Sequence, residues 1–532
     1  MEELLKEYLG EIALLIYILY PLLKRAWDRF HKKGEPAARK PKKAAAKART
    51  PKPPARKAPG RPQHLPAVAK ASPQADFLAA ARTQLAGLKQ EATQLLARAE
   101  GDPRLLRLVP ALREDLLGRL GMIERSLQGS PTLATIVQDT TVLRGLDALL
   151  GHIKTMARQR TQRGASFQAD ADTMADACYA PLLEHARVHG LDLRTSQPIA
   201  LTGNWDLSIV PSFASTRVAP LRLPVGFGSS LWRWPAIAHE VAHDFYYSLE
   251  NLEPSLHQRL GLPQQVELPM SSGELDGAWL RGLFGAWLSE IFADVMGTVS
   301  LGPAYVEAMR RAFRNPGSPQ QTAAILQDGN LIDEHPPARL RLFVATRVLH
   351  HLGRHAEADE FWELWENDHP DVRLYYLPLG GQWVGLADEA LHSIANSMVD
   401  LLVQRPWPEL QGFQVLNVPG LAYLHAEHAE VQGLIRDLAR GDAVKADVRW
   451  IMAAAVLAAA AQPALHDQIL EAARQSIVGV GEVQEAAATK TRRRPSRAIA
   501  ANLVASLRQP RAIEEAIAIG AALTPYKRPP WH

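Results

Sequence analysis

Residues 234–245 read Trp-Pro-Ala-Ile-Ala-His-Glu-Val-Ala-His-Asp-Phe, an H-E-x-x-H pattern inside an apolar run that begins at a proline. Pro235 suits the first turn of a helix, where a missing N–H costs nothing, and Ile237, Ala238, Val241, Ala242 and Phe245 give that helix buried sides. Four residues advance a helix by about 400°, so His239 and His243 share one face a turn apart, and their imidazoles can meet one metal ion. Glu240 falls beside them, placed to take a proton from a metal-bound water. The stretch predicts zinc at His239 and His243 with a glutamate base between them.

Further along, Trp287-Leu288-Ser289-Glu290-Ile291-Phe292-Ala293-Asp294 is a second apolar helical run, with acids at i and i+4. A catalytic zinc takes three protein ligands and leaves its fourth position to water, so Glu290 is the expected third ligand. Asp294, one turn on and on the same face, is the expected acceptor for the other ring N–H of a ligating histidine. Flanked by Leu288, Ile291 and Phe292, these acids stand in a stretch with little polar face.

A third stretch, His335-Pro336-Pro337-Ala338-Arg339-Leu340-Arg341, opens another helix. H-E-x-x-H, then E-x-x-A-D, then H-P-x-x-x-x-R resembles the gluzincin metallopeptidases of the HtpX and CAAX-prenyl-protease type. The likeness covers roughly residues 200–350 and none of the flanks. It implies an α+β zincin fold, and that His335 or Arg341 stabilises the oxyanion or orients Asp294. A bland alternative is that both residues only cap and brace a helix.

Composition bounds the remainder. A chain of 532 residues is long enough for two to four domains. Its single cysteine, Cys178, excludes an internal disulfide framework and reads as a small buried hydrophobe. Residues 24–61 hold 15 Lys and Arg against Asp28 and Glu35, whereas residues 62–532 carry a net charge of −6. The basicity is a tail, and the folded body gives no reason to expect nucleic acid.

The expected order of domains is an N-terminal hydrophobic helix over 1–31, a basic Pro/Ala/Lys-rich disordered linker over 32–73, a helical bundle over 74–165, the zincin domain over 166–358 and a helical C-terminal domain over 359–532. Tyr8–Leu23 is apolar but for Glu11 and makes about 24 Å of helix, short of the roughly 30 Å of a bilayer core. It reads as a membrane anchor, spanning or interfacial, that keeps the catalytic domain in the cytoplasm; packing on the protein or a partner is the alternative. A nucleic-acid arm is the rival reading of the basic linker.

In the bundle, Phe77, Leu85, Leu88, Ala92 and Leu95 form a stripe at helical spacing, with breaks near Gly101–Pro103 and Gly129–Pro131, and Arg158–Ser166 reads as a linker. The proline-bearing Val218–Val225 is expected as an edge strand over the active helix, a ledge for an extended peptide. Pro254–Gly273 is expected as a loop over the cleft, and Trp450–Ala461 as a buried helix too short to span a bilayer.

The fold class expected is therefore mostly α with a small β-sheet, flanked by helical domains. The function expected is a membrane-tethered zinc endopeptidase acting on a protein or peptide substrate, with His335, Arg341, Tyr246 or Tyr247 as candidate oxyanion donors. The alternative from another class is a membrane-tethered scaffold whose zinc only stabilises the fold.

Overall fold

The computed structural model describes residues 73–162, 166–191, Leu193, 197–203, 207–209, 218–263, 277–314, 335–369, 374–379 and 382–491. The expected anchor, and the basic linker apart from Pro73, lie outside the described residues. Among those described, no helix is long and apolar enough to cross a membrane. The fold is mostly α with a small β-sheet.

Helix α1 (Pro73–Gly101) opens a bundle completed by a 3₁₀ turn (Pro103–Leu108), a π-helical turn (Ala111–Leu117), α2 (Gly118–Leu127) and α3 (Leu133–Thr161). The breaks fall where polar side chains offer the freed backbone amides a partner: Asp102 accepts from Arg104 N–H at 3.1 Å, and Thr132 from Thr135 N–H at 3.2 Å. Leu85, Leu88, Ala92 and Leu95 are buried as their spacing demands, but Phe77 is 59% exposed. It lies near the start of α1, where Leu78 rather than Phe77 turns towards the bundle core, so the buried stripe starts at Ala81.

The bundle is tied to the rest by α4 (Ser166–His189) and β1 (Gln197–Gly203). Side chains alternate along a strand, so one strand can serve two cores. Ile199 and Leu201 enter the bundle core, while Ala200 between them enters the larger one. The expected linker at Arg158–Ser166 is in part helix, because α3 runs on to Thr161. Buried Arg160 lies 2.6 Å from Asp172 Oδ2 and donates to Ala200 O, and Asp172 Oδ1 accepts from Ala200 N–H at 2.7 Å. A paired guanidinium that also satisfies a strand carbonyl belongs to an interface, not a solvated tether.

The three-stranded sheet has the order β1-β3-β2, with β2 at Ser208–Ile209 and β3 at Val218–Pro224. β3 pairs parallel with β1 and antiparallel with β2, so it is the central strand and not an edge. The prolines permit this because β2 is only two residues long. It pairs with Leu221 and Arg222, which lie between Pro220 and Pro224, and asks neither proline for an N–H.

The second core is continuous from Ala171 to Ile477 and centres on α5 (Ala236–Ser248) and α8 (Leu288–Leu301). Between them, α6 (Leu252–Leu260) occupies part of the stretch expected as a loop from Pro254 to Gly273; residues 264–276 lie outside the described residues. Gly261, at φ 63°, ends α6 as its amide bonds back to Gln258 O and the next amide to His257 O, a geometry that favours glycine. Helices α7 (Gly277–Ala286), α9 (Pro303–Phe313), α10 (Ala338–His351) and α11 (His355–Asp368) follow, then a hairpin of β4 (Leu374–Leu379) and β5 (Gln382–Ala387). α12 (Asp388–Gln404), α13 (His425–Ala439), α14 (Val448–Ala461) and α15 (His466–Thr491) extend the same core, which therefore crosses residue 358 unbroken. α14 is buried on nearly every face, as its composition predicts.

Candidate metal centre

Two helices supply the site, each through a pair of residues four apart. α5 presents His239 and His243 towards α8, which presents Glu290 and Asp294. The helices are also held together by apolar packing, including Phe245 stacked on Phe292 at 6.4 Å between ring centroids. Glu290 stands in the first turn of α8, where the positive end of the helix dipole favours a carboxylate.

His243 Nε2 is 3.0 Å from His239 Nε2 and 3.1 Å from Glu290 Oε1, and His239 Nε2 is 3.4 Å from Glu290 Oε2. Ligand atoms about 2.1 Å from a tetrahedral ion would stand roughly 3.4 Å apart, so the three side chains are close to the spacing that a shared ion imposes. His239, His243 and Glu290 can hold a metal ion, and they are the one such group among the described residues.

The chemistry of the donors supports the fit. His239 Nδ1 lies 3.1 Å from both Asp294 Oδ1 and Tyr305 Oη. A proton on Nδ1 shared with those oxygens leaves Nε2 with a lone pair aimed at His243 and Glu290. Glu290 Oε2 is buried with His239 Nε2 as its nearest nitrogen, at the long distance of 3.4 Å. Lone pairs collected at one buried point need a cation.

Without metal, a proton serves. Burial pushes the His239 imidazole down, but its hydrogen bonds to Asp294 and Glu290 outweigh this and raise it to about 9. Glu290 is opposed by burial yet held well below the usual carboxylate range by hydrogen bonds from His239 and His243. Burial likewise opposes ionisation of Asp294, but the charge of Arg341 and the hydrogen bonds it receives hold it at about 2.

Arg341, in the first turn of α10, donates to Asp294 Oδ2 from Nε at 2.7 Å and to Oδ1 from Nη2 at 2.8 Å, with Nη2 also 3.6 Å from Glu290 Oε2. Of the two roles left open for it, the geometry favours orienting Asp294. His335 Nε2 lies 3.5 Å from Glu290 Oε2 on a side chain 53% exposed, at the mouth of the site. Tyr246 is buried against Phe292, and Tyr247 is partly exposed.

Glu240 is buried, and its Oε2 accepts from Ile209 N–H at 2.7 Å. That bond ties the residue after the first histidine to β2, the edge strand beside α5. It and Tyr305 are the contributions that sequence reasoning missed. Tyr305, at the start of α9, donates to Asp294 Oδ1 at 2.8 Å, yet its sequence surroundings, Gly-Pro-Ala-Tyr, announce a helix start and no chemistry.

No family model matches this chain, and neither a curated protein nor a solved structure matches it.

Proposed function

We propose that this protein is a zinc-dependent endopeptidase. The observation that carries the reading is the convergence of His239, His243 and Glu290, three donors among the described residues, with Glu240 next to the first of them on the same helix. Two imidazoles and one carboxylate suit zinc, and a purely structural site would close the fourth position with protein.

Zinc held there supplies Lewis acidity that brings the pKa of a water molecule towards neutrality. Glu240 would serve as the base for such a water, holding its proton until the leaving amine takes it. One of its oxygens is anchored by the Ile209 amide, which fixes the plane of the carboxylate while the other oxygen handles the proton. His335 donates to the oxyanion from the exposed side, whereas Arg341 keeps Asp294, and through it His239, in place. An extended peptide adds along β2, the sheet edge beside α5, rather than along Val218–Val225.

Metal analysis of the purified chain together with chelator-sensitive cleavage of a peptide mixture tests this reading. A stoichiometric metal whose removal leaves cleavage unchanged contradicts it.

A further inference from the structure

Asp294 is the hub of the site's outer hydrogen bonds, and Tyr305 reaches it from an unexpected direction. Two glycines make that possible. Gly302 joins α8 to α9 at φ 56° and ψ −135°, a conformation that side chains resist, so α9 folds back along α8. Gly297, one turn after Asp294, then leaves room for the returning ring: a Cβ there would stand 2.4 Å from Tyr305 Cε2 and 2.7 Å from Cζ. The ring therefore rests on bare helix backbone, and its hydroxyl ends 2.8 Å from Asp294 Oδ1 and 3.1 Å from His239 Nδ1.

We infer that Tyr305 is a positioning residue for the metal, held in register by Gly297. The inference rests on reading His239, His243 and Glu290 as metal ligands. A tyrosine hydroxyl has one proton to give and lone pairs to spare. Giving the proton to Asp294 leaves Tyr305 Oη as an acceptor for the Nδ1–H of His239, which is then shared between two oxygens. Both bonds favour the same tautomer and aim Nε2 at the metal point. Arg341 alone cannot do this, because guanidinium groups only donate and can touch Asp294 but not accept from His239.

The test uses the full chain, titrated with Zn(II) against a chromophoric chelator and with Co(II) followed by visible absorption. Tyr305→Phe keeps the ring and removes the hydroxyl. It should weaken metal binding by about 10–100-fold and alter the Co(II) bands while the circular dichroism of the fold is kept. Gly297→Ala should do the same by displacing the ring. If the glycine acts through the hydroxyl, the double variant should bind no more weakly than the weaker single one.

Wild-type affinity and Co(II) bands in Tyr305→Phe would overturn the inference, leaving the tyrosine as packing. If Tyr305→Phe does not fold, Gly297→Ala decides alone, and unchanged bands in that variant overturn the inference equally. A wild-type chain that takes up neither metal removes the reading beneath it, a result distinct from metal binding indifferent to the hydroxyl.

Discussion

His239 Nδ1 lies 3.1 Å from Asp294 Oδ1, and the aspartate is itself fixed by two bonds from Arg341 at 2.7 and 2.8 Å. The aim of the imidazole thus depends on a fully buried carboxylate outside the His239, His243 and Glu290 triad. Replacing Asp294 with Asn keeps the shape but can offer an N–H where the histidine needs an acceptor. Metal affinity should fall by about 10–100-fold, as measured by competition with a chelator.

Removing Arg341 has a different consequence. Asp294 is entirely enclosed, so Arg341→Met leaves a buried carboxylate short of its strongest partner. The loss should be about 3–5 kcal/mol of folding stability, read from urea denaturation of the metal-free chain. A loss under about 1 kcal/mol, the range of exposed ion pairs, would mean that solvent reaches this pair.

Acidity should move metal binding and metal-free stability in opposite directions. In the metal-free chain, folding raises His239 from its ordinary 6.5 to about 9. The stability this gives is fully present below 6.5 and is lost as pH rises through about 9. Metal must displace that proton, so affinity should climb by about tenfold per pH unit across the same window. The increase in melting temperature on adding Zn(II) should therefore be larger at pH 8 than at pH 6.5.

Cys178 tests the packing of α4. Burial pushes its thiol up to about 12, and the side chain is 4% exposed. Iodoacetamide at pH 8 should leave the native chain unlabelled and modify it only in denaturant, because the thiolate is the reactive form. Rapid labelling of the native protein would mean that the α4 interface opens.

What the sequence made legible was what repeats at helical spacing. His239 with His243, and Glu290 with Asp294, each announce a shared face, and the second pair points to the first because a metal needs a third ligand. The bundle stripe from Leu85 to Leu95 is readable for the same reason. Tyr305 is not, since its contact depends on a Gly302 turn and a bare Gly297 that no periodicity encodes. The two prolines of β3 point to an edge, because proline cannot donate to a ladder on both sides, and the two-residue length of β2 lifts that constraint. Arg160 reads as part of a basic linker because nothing nearby in sequence reveals Asp172 as its partner.

The central claim is that Glu240 acts on a water at the metal point formed by His239, His243 and Glu290. The most direct measurement is cleavage of a peptide library by the zinc-loaded wild-type chain and by Glu240→Gln at equal zinc content, followed by mass spectrometry. New peptide termini should appear with the wild type and be absent with the variant. Equal cleavage by both, or none by the fully loaded wild type, would contradict the account.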